Sequence, residues 1–155
     1  MGIVGSRWVV VVATASIAAV VLSGCGQDAY PKVVENPAWE AATSAAGPRA
    51  VFRETEVDVG RVSLNTWVQY RYTLRNSGDQ TLRVLEPPGI EVLEGCCPPT
   101  PLLRSDVLAP GEQTDLTIRT QMHAGMDGAH LFRITVQTND PREPQQSVLF
   151  RGDFG

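Results

Sequence analysis

The 155-residue sequence carries 13 Lys and Arg against 17 Asp and Glu, a formal net charge of −4. A mildly acidic chain without a basic run is a poor match to phosphate backbones, which excludes nucleic-acid binding as its main task. Of its three cysteines two are adjacent, which excludes a disulfide framework stapling distant strands.

Residues 1–24 read as a lipoprotein signal peptide. Arg7 is the only charge there and precedes an apolar run from Trp8 to Leu22. A positive start, a short apolar middle and a small-residue end are the features of an export signal. The run is shorter than the roughly 20 residues a membrane-spanning helix needs, and it ends in Ser23-Gly24. Leu22-Ser23-Gly24-Cys25 resembles the bacterial lipobox, which implies cleavage before Cys25 and diacylglycerol on its sulfur. Each buried methylene of such an anchor contributes about 0.8 kcal/mol, so several palmitate-length chains hold a protein durably. Gly26 follows Cys25, and by resemblance to Gram-negative sorting this permits delivery to the outer membrane. The expected location is the outer face of the cytoplasmic membrane, or the outer membrane. Cleavage would leave 131 of the 155 residues and, with Arg7 gone, a net charge of −5.

Residues 25–49 are expected to be the lipidated cysteine and a flexible tether. Pro31, Pro37 and Pro48 stand among Ala, Ser, Thr and Gly, with no sustained helical or alternating pattern. Trp39 is the exception, suited either to docking on the domain or to sitting near lipid headgroups. Residues 50–155 form the expected domain. Val68, Tyr70, Tyr72 and Leu74 alternate with Gln69, Arg71, Thr73 and Arg75, one buried and one wet face of a strand. Asn76-Ser77-Gly78-Asp79 supplies a turn. Leu82 and Val84 begin a strand that Pro87-Pro88-Gly89 interrupts and Ile90 to Leu93 continue. Residues 102–108 are expected to run as one strand to the turn at Ala109-Pro110-Gly111-Glu112, and 114–121 to return from it. Phe132, Ile134 and Val136 alternate with Arg133, Thr135 and Gln137. Asn139-Asp140-Pro141 is a turn, and Val148 and Phe150 mark a last strand. About seven short strands at this spacing predict an all-β, antiparallel immunoglobulin-like sandwich, with no helix after the signal.

Four pieces of this run carry a family resemblance: Asp58-Val59-Gly60, Asn76-Ser77-Gly78, Pro110-Gly111-Glu112, and Thr138-Asn139-Asp140 before a strand ending at Gly152. In order and spacing, Val51 to Gly152 resembles the bacterial immunoglobulin-like lipoprotein domains known as a domain of unknown function. These are relatives of the abnormal-spindle/hydin and major-sperm-protein sandwiches. The resemblance implies a fold and a surface location and no reaction. Where many members carry Cys-Gly-Cys-Thr, this chain has Cys96-Cys97-Pro98-Pro99-Thr100.

The residues that could carry chemistry fall in two clusters. Cys96 and Cys97 form one. The other is Met122-His123-Ala124-Gly125-Met126-Asp127-Gly128-Ala129-His130, which holds both histidines of the chain and every methionine but Met1. The arms between Cys97 and Met122 are each about seven residues, or roughly 23 Å, so both clusters should meet at one end of the sandwich. Met122 is in phase with Ile118 and Thr120, and His130 with Phe132 and Ile134, so both should point inward there.

Thiolate, thioether and imidazole together favour a soft ion, so Cu(I) is the expected metal, for sequestration or for delivery to an envelope metalloprotein or other protein partner. Its candidate ligands are Cys96, Cys97, Met122, His123, Met126 and His130, and either His could instead support a ligand from behind. Zinc through two Cys and two His fits less well, because adjacent cysteines lack the usual spacer. Several alternatives stay open. Met122 could be plain core, and His130 could cap the sandwich by hydrogen bonds. The cysteines could close a strained vicinal disulfide and act as a thiol–disulfide partner. The domain could also be a non-catalytic protein-interaction module using sheet edges or loops. No phosphate loop and no oriented Cys–His nucleophile pair is evident, so no enzyme is expected.

Overall fold

The computed structural model describes residues 31–41 and 46–155. The expected signal peptide, Cys25 and tether residues 26–30 and 42–45 lie outside them. In chain order the described elements are β1 (Lys32–Glu35), α1 (Pro37–Ala41), β2 (Ala50–Phe52), β3 (Glu54–Val62), β4 (Trp67–Asn76), β5 (Leu82–Glu94), β6 (Thr100–Leu103), β7 (Val107–Leu108), β8 (Gln113–Gln121), β9 (Gly128–Thr138) and β10 (Gln145–Phe154). They form two packed sheets, β1-β3-β10-β9-β5-β7 and β2-β4-β8-β6. Every pairing is antiparallel except β3 with β10. The expected immunoglobulin-like sandwich is borne out, with ten strands among the described residues rather than about seven.

Alternation decides which face each strand buries. Phe132, Ile134 and Val136 of β9 are fully buried, while Arg133 between them and Gln137 after them are exposed. Leu116 and Ile118 of β8, Tyr72 and Leu74 of β4, and Val148 and Phe150 of β10 complete the core between the sheets. Each large apolar side chain buried this way contributes about 1.5–3 kcal/mol.

The motifs behind the family resemblance are structural fasteners. The side chain of Asn76 is fully buried. Its amide donates to the Gln80 and Leu108 carbonyls (2.7 and 3.0 Å), and its oxygen accepts from Gly78 N at 3.0 Å. Asp140, 1% exposed, accepts from Ala50 N at 3.0 Å and from Arg142 N at 2.9 Å, tying the β9–β10 turn to β2. Asp58 accepts from Gly60 N at 2.8 Å, and Glu112 from Ala109 N at 2.7 Å.

Three expectations change. Within the stretch read as tether, Lys32–Glu35 is β1, paired with β3 through Lys32↔Asp58 and Val33↔Val57. Four residues carry too little periodicity to announce a strand, and the pairing is supplied by the edge of β3. A one-turn helix, α1, follows where none was expected: Asn36 Oδ1 caps it by accepting from Ala38 N at 2.9 Å, and Pro37 stands at its first position. Trp39 docks on the domain, its ring 4.2 Å from the Arg75 guanidinium and its carbonyl accepting from Arg75 Nη2 at 2.6 Å. The single strand expected over 102–108 is two. β6 pairs with β8 in one sheet and β7 with β5 in the other, because the chain switches sheets at Arg104-Ser105-Asp106. There Ser105 N donates to Thr114 Oγ1 and Ser105 Oγ to the Val107 carbonyl. As expected, Pro87-Pro88-Gly89 interrupts β5 without ending it. The strand absorbs the prolines as an irregularity between Leu85 and Gly89 and continues to Glu94.

Candidate functional site at the cysteine loop

β3, β5 and β10 finish at one end of the sandwich, and β4 and β9 begin there. Three loops meet at this thiol end: 63–66, 95–99 and 122–127. The expected convergence of the cysteine loop with the Met/His segment is therefore what the topology delivers.

Within it, β5 ends and Gly95 turns at φ +84°. The turn presses the Gly95 backbone against the His130 ring, so close that a Cβ there would lie 2.3 Å from His130 Cδ2. His130 is 1% exposed. Its ring meets Phe154 edge-on, with centroids 4.9 Å apart, and tilts on Phe132 at 5.8 Å. Nδ1 lies 3.0 Å from the Gly128 carbonyl. A carbonyl can only accept, so Nδ1–H donates to it, and Nε2 is the ring nitrogen that faces the cysteines. Nε2 is 3.7 Å from Cys96 Sγ, which also lies 3.8 Å from the Gly125 carbonyl.

Both cysteines are free thiols. Cys97 is exposed and adopts φ +54°, an unusual backbone for a residue with a side chain. This conformation brings its sulfur to 3.0 Å from Cys96 Sγ. The Cys97 contact, then desolvation and the Cys97 charge, push the Cys96 thiol above its ordinary pKa. A nucleophilic cysteine needs the opposite shift, so this contact does not activate Cys96 as a nucleophile.

Of the six candidate ligands, the structure brings three together: Cys96, Cys97 and His130. Met122 and Met126 lie beneath them inside the apolar core, at 2% and 0% exposure. Met126 reaches that position from a loop whose turn is closed by Met126 N donating to the His123 carbonyl at 3.1 Å. His123 is exposed, with Nδ1 3.0 Å from the carbonyl of Ala124. Among the described residues no three His, Cys, Asp or Glu side chains are set as a ready-made metal site.

A second feature has no sequence signature. β9 pairs with one side of β5, but on the other side β7 reaches only Leu82 and Arg83. Among the described residues no strand pairs with the outer edge of 89–93. Val92 stands on that stretch 39% exposed. Pro87 and Pro88, lacking N–H groups, close the edge at its upper end.

Two packed sheets, antiparallel but for the β3–β10 pair, with a thiol–imidazole pair at one mouth and an open strand edge beside it, define an immunoglobulin-like domain. Over residues 48–153 the sequence matches the HYDIN/CFA65/VesB-like, Ig-like domain, and the chain belongs to that family. No curated protein sequence matches it. Among solved structures, a protein of unknown function from Porphyromonas gingivalis W83 is similar at a TM-score of 0.56 and 21% identity, over 77% of this chain and 52% of that one. The secreted serine protease VesC from Vibrio cholerae is similar at 0.48 and 12%, over 70% of this chain and 23% of that one. The ASH/PapD-like domain 7 of human CEP192 gives 0.49 and 11%, over 68% and 84%. The chain thus spans about half the length of the first protein and about a quarter of the second.

Proposed function

We propose that the protein is a lipid-anchored, non-catalytic interaction module of the cell envelope that takes a partner by strand addition. The open edge of β5 over 89–93 carries this reading. An unpaired row of backbone donors and acceptors is a template for an extended segment of another chain, and the alternate side chains beside it supply specificity. Membership in an immunoglobulin-like family supports a binding task. Anchoring is supported by the lipobox-like Leu22-Ser23-Gly24-Cys25 after an apolar run. A photo-crosslinking residue placed at Val92 in cells is expected to trap a partner. The same residue at Leu102, which is 67% exposed on the other sheet, is expected to trap none. Adding Gly89→Pro, which removes an N–H from the edge strand, should abolish the Val92 adduct. Equal crosslinking from both positions would refute edge capture.

A second reading is favoured by the 3.7 Å separation of Cys96 Sγ and His130 Nε2. With bonds of about 2.3 Å to sulfur and 2.0 Å to nitrogen, the two atoms would subtend roughly 120° at an ion between them, suited to trigonal coordination. The two sulfurs, 3.0 Å apart, would subtend only about 80° at the same bond lengths. Cys97 must therefore swing outward to join. On this reading Cys96 and His130 bind Cu(I), and Cys97 completes the set. Competition against a Cu(I) chelator decides it: a Cys96→Ser/Cys97→Ser protein that competes as well as the parent rejects the site.

A further inference from the structure

We infer that the thiol end of the sandwich is a bilayer-docking surface, with Leu64, Trp67 and Leu93 seated among phospholipid headgroups. The inference rests on the anchoring reading above and goes beyond it by fixing which end of the domain meets the lipid.

Chain direction carries it. β1 is antiparallel to β3, with Lys32 opposite Asp58 and Glu35 opposite Glu54. β3 runs toward the thiol end, so the polypeptide enters β1 from that end. Lys32 is level with Asp58, four residues short of Val62, or about 13 Å at 3.3 Å per residue. Seven residue steps separate Cys25 from Lys32, a reach of at most about 25 Å. A lipidated Cys25 can thus lie no more than about 12 Å beyond Val62 along the sandwich axis. The headgroup layer is itself about 5–8 Å thick, so the thiol end is held against it. Contact through the opposite end would require the chain to reverse at Pro31 and then pass β1, α1 and the loops beyond them, which uses the whole reach.

The surface at that end fits the location. Leu64 is 54% and Trp67 55% exposed, and Leu93 is 38% exposed at the strand irregularity before the cysteine loop. Leu64 rides on a tight turn closed by Thr66 N donating to the Ser63 carbonyl, with Asn65 in the left-handed region at φ +64°. The Arg119 guanidinium lies 4.1 Å over the Trp67 ring. An indole beside a long cationic side chain is the combination that settles at a bilayer interface, with the ring in the headgroup layer and the cation toward phosphate. Arg61 and Arg119 at this end face Glu94, Asp127 and Asp153, the last level with Arg61, so no excess of positive charge calls for anionic lipid and the contact is with zwitterionic headgroups.

The test uses the lipidated protein purified from membranes of an expressing bacterium and placed in phosphatidylcholine vesicles containing doxyl-labelled phosphatidylcholine. Trp39→Phe leaves Trp67 as the reporter, and Trp67→Phe leaves Trp39, since Trp8 departs with the signal. Trp67 emission is expected to shift to the blue and to be quenched about twofold or more, with Trp39 unaffected. A spin label on Leu64→Cys, in a Cys96→Ser/Cys97→Ser background, gives the same depth reading if the tryptophan changes disturb the fold. Mass spectrometry of the Cys25 peptide reports the anchor separately. Lipid on Cys25 with both Trp67 and the residue-64 label outside the bilayer overturns the docking and leaves the anchoring standing. An unmodified Cys25 overturns both.

Discussion

Replacing Gly95 by alanine tests the packing of the cysteine loop on His130. Two costs add. The backbone there sits at φ +84°, where a Cβ costs about 1–2 kcal/mol. The new methyl would also stand 2.3 Å from His130 Cδ2 and 2.6 Å from Cγ. That ring cannot yield cheaply, because Phe154, Phe132 and the Gly128 carbonyl hold its other sides. Overpacking of this kind costs about 1–3 kcal/mol. The total is about 2–5 kcal/mol, a fall in melting temperature of roughly 10–25 °C for a domain of this size. Gly125 separates the two terms. It adopts φ +87° with nothing within 4 Å of its would-be Cβ, so Gly125→Ala should show only the backbone cost, roughly 5–10 °C. Thermal unfolding followed by circular dichroism measures both. If the two variants melt together, Gly95 does not press on the ring and the geometry assigned to the thiol–imidazole pair is wrong.

Two further outcomes follow from buried polar groups at a distance from that loop. Burial, with smaller contributions from Tyr70, Glu54 and Glu56, pushes the Tyr72 hydroxyl far above the usual phenol range, and it donates to the Leu149 carbonyl at 2.7 Å. An unfolded tyrosine ionises near pH 10, so this contribution is intact below that pH and is lost as pH rises above it. Denaturant midpoints measured from pH 8 to 11 should fall, and less steeply in Tyr72→Phe; equal slopes would count against the assignment. Asp140→Ala leaves the buried Ala50 amide without its acceptor and should cost about 2–3 kcal/mol. Hydrogen exchange should show the Ala50 amide losing protection, whereas unchanged protection would mean that the turn is not tied to β2.

Much of the sandwich is written in the sequence as alternation. β4, β8 and β9 are long enough for a period of two to stand out, and their inward sets are buried, except that Val68 and Tyr70 of β4 are half-buried. The meeting of the cysteine loop with the Met/His segment was legible too, since two arms of equal length around Pro110-Gly111 must return the chain to its starting end. The remainder depends on partners that local sequence does not encode. Lys32–Glu35 becomes a strand because β3 presents an edge to it. The break at Arg104-Ser105-Asp106 depends on Thr114 holding Ser105. Met126, a candidate ligand by residue type, lies in a loop with no periodicity to mark it as core, yet it is fully buried in the core cluster. Asn36-Pro37 is a readable helix start, masked by the segment's other prolines, which point to a tether.

The four-residue ladder between β1 and β3 has a mechanical meaning. A load applied through residue 31 toward the thiol end runs along the strand axis, while the hydrogen bonds joining β1 to β3 lie across it. They are strained together rather than opened one after another like a zipper. The N-terminal segment is in this respect a shear clamp: the domain would tolerate tension from that side better than an equal pull directed away from the sheet.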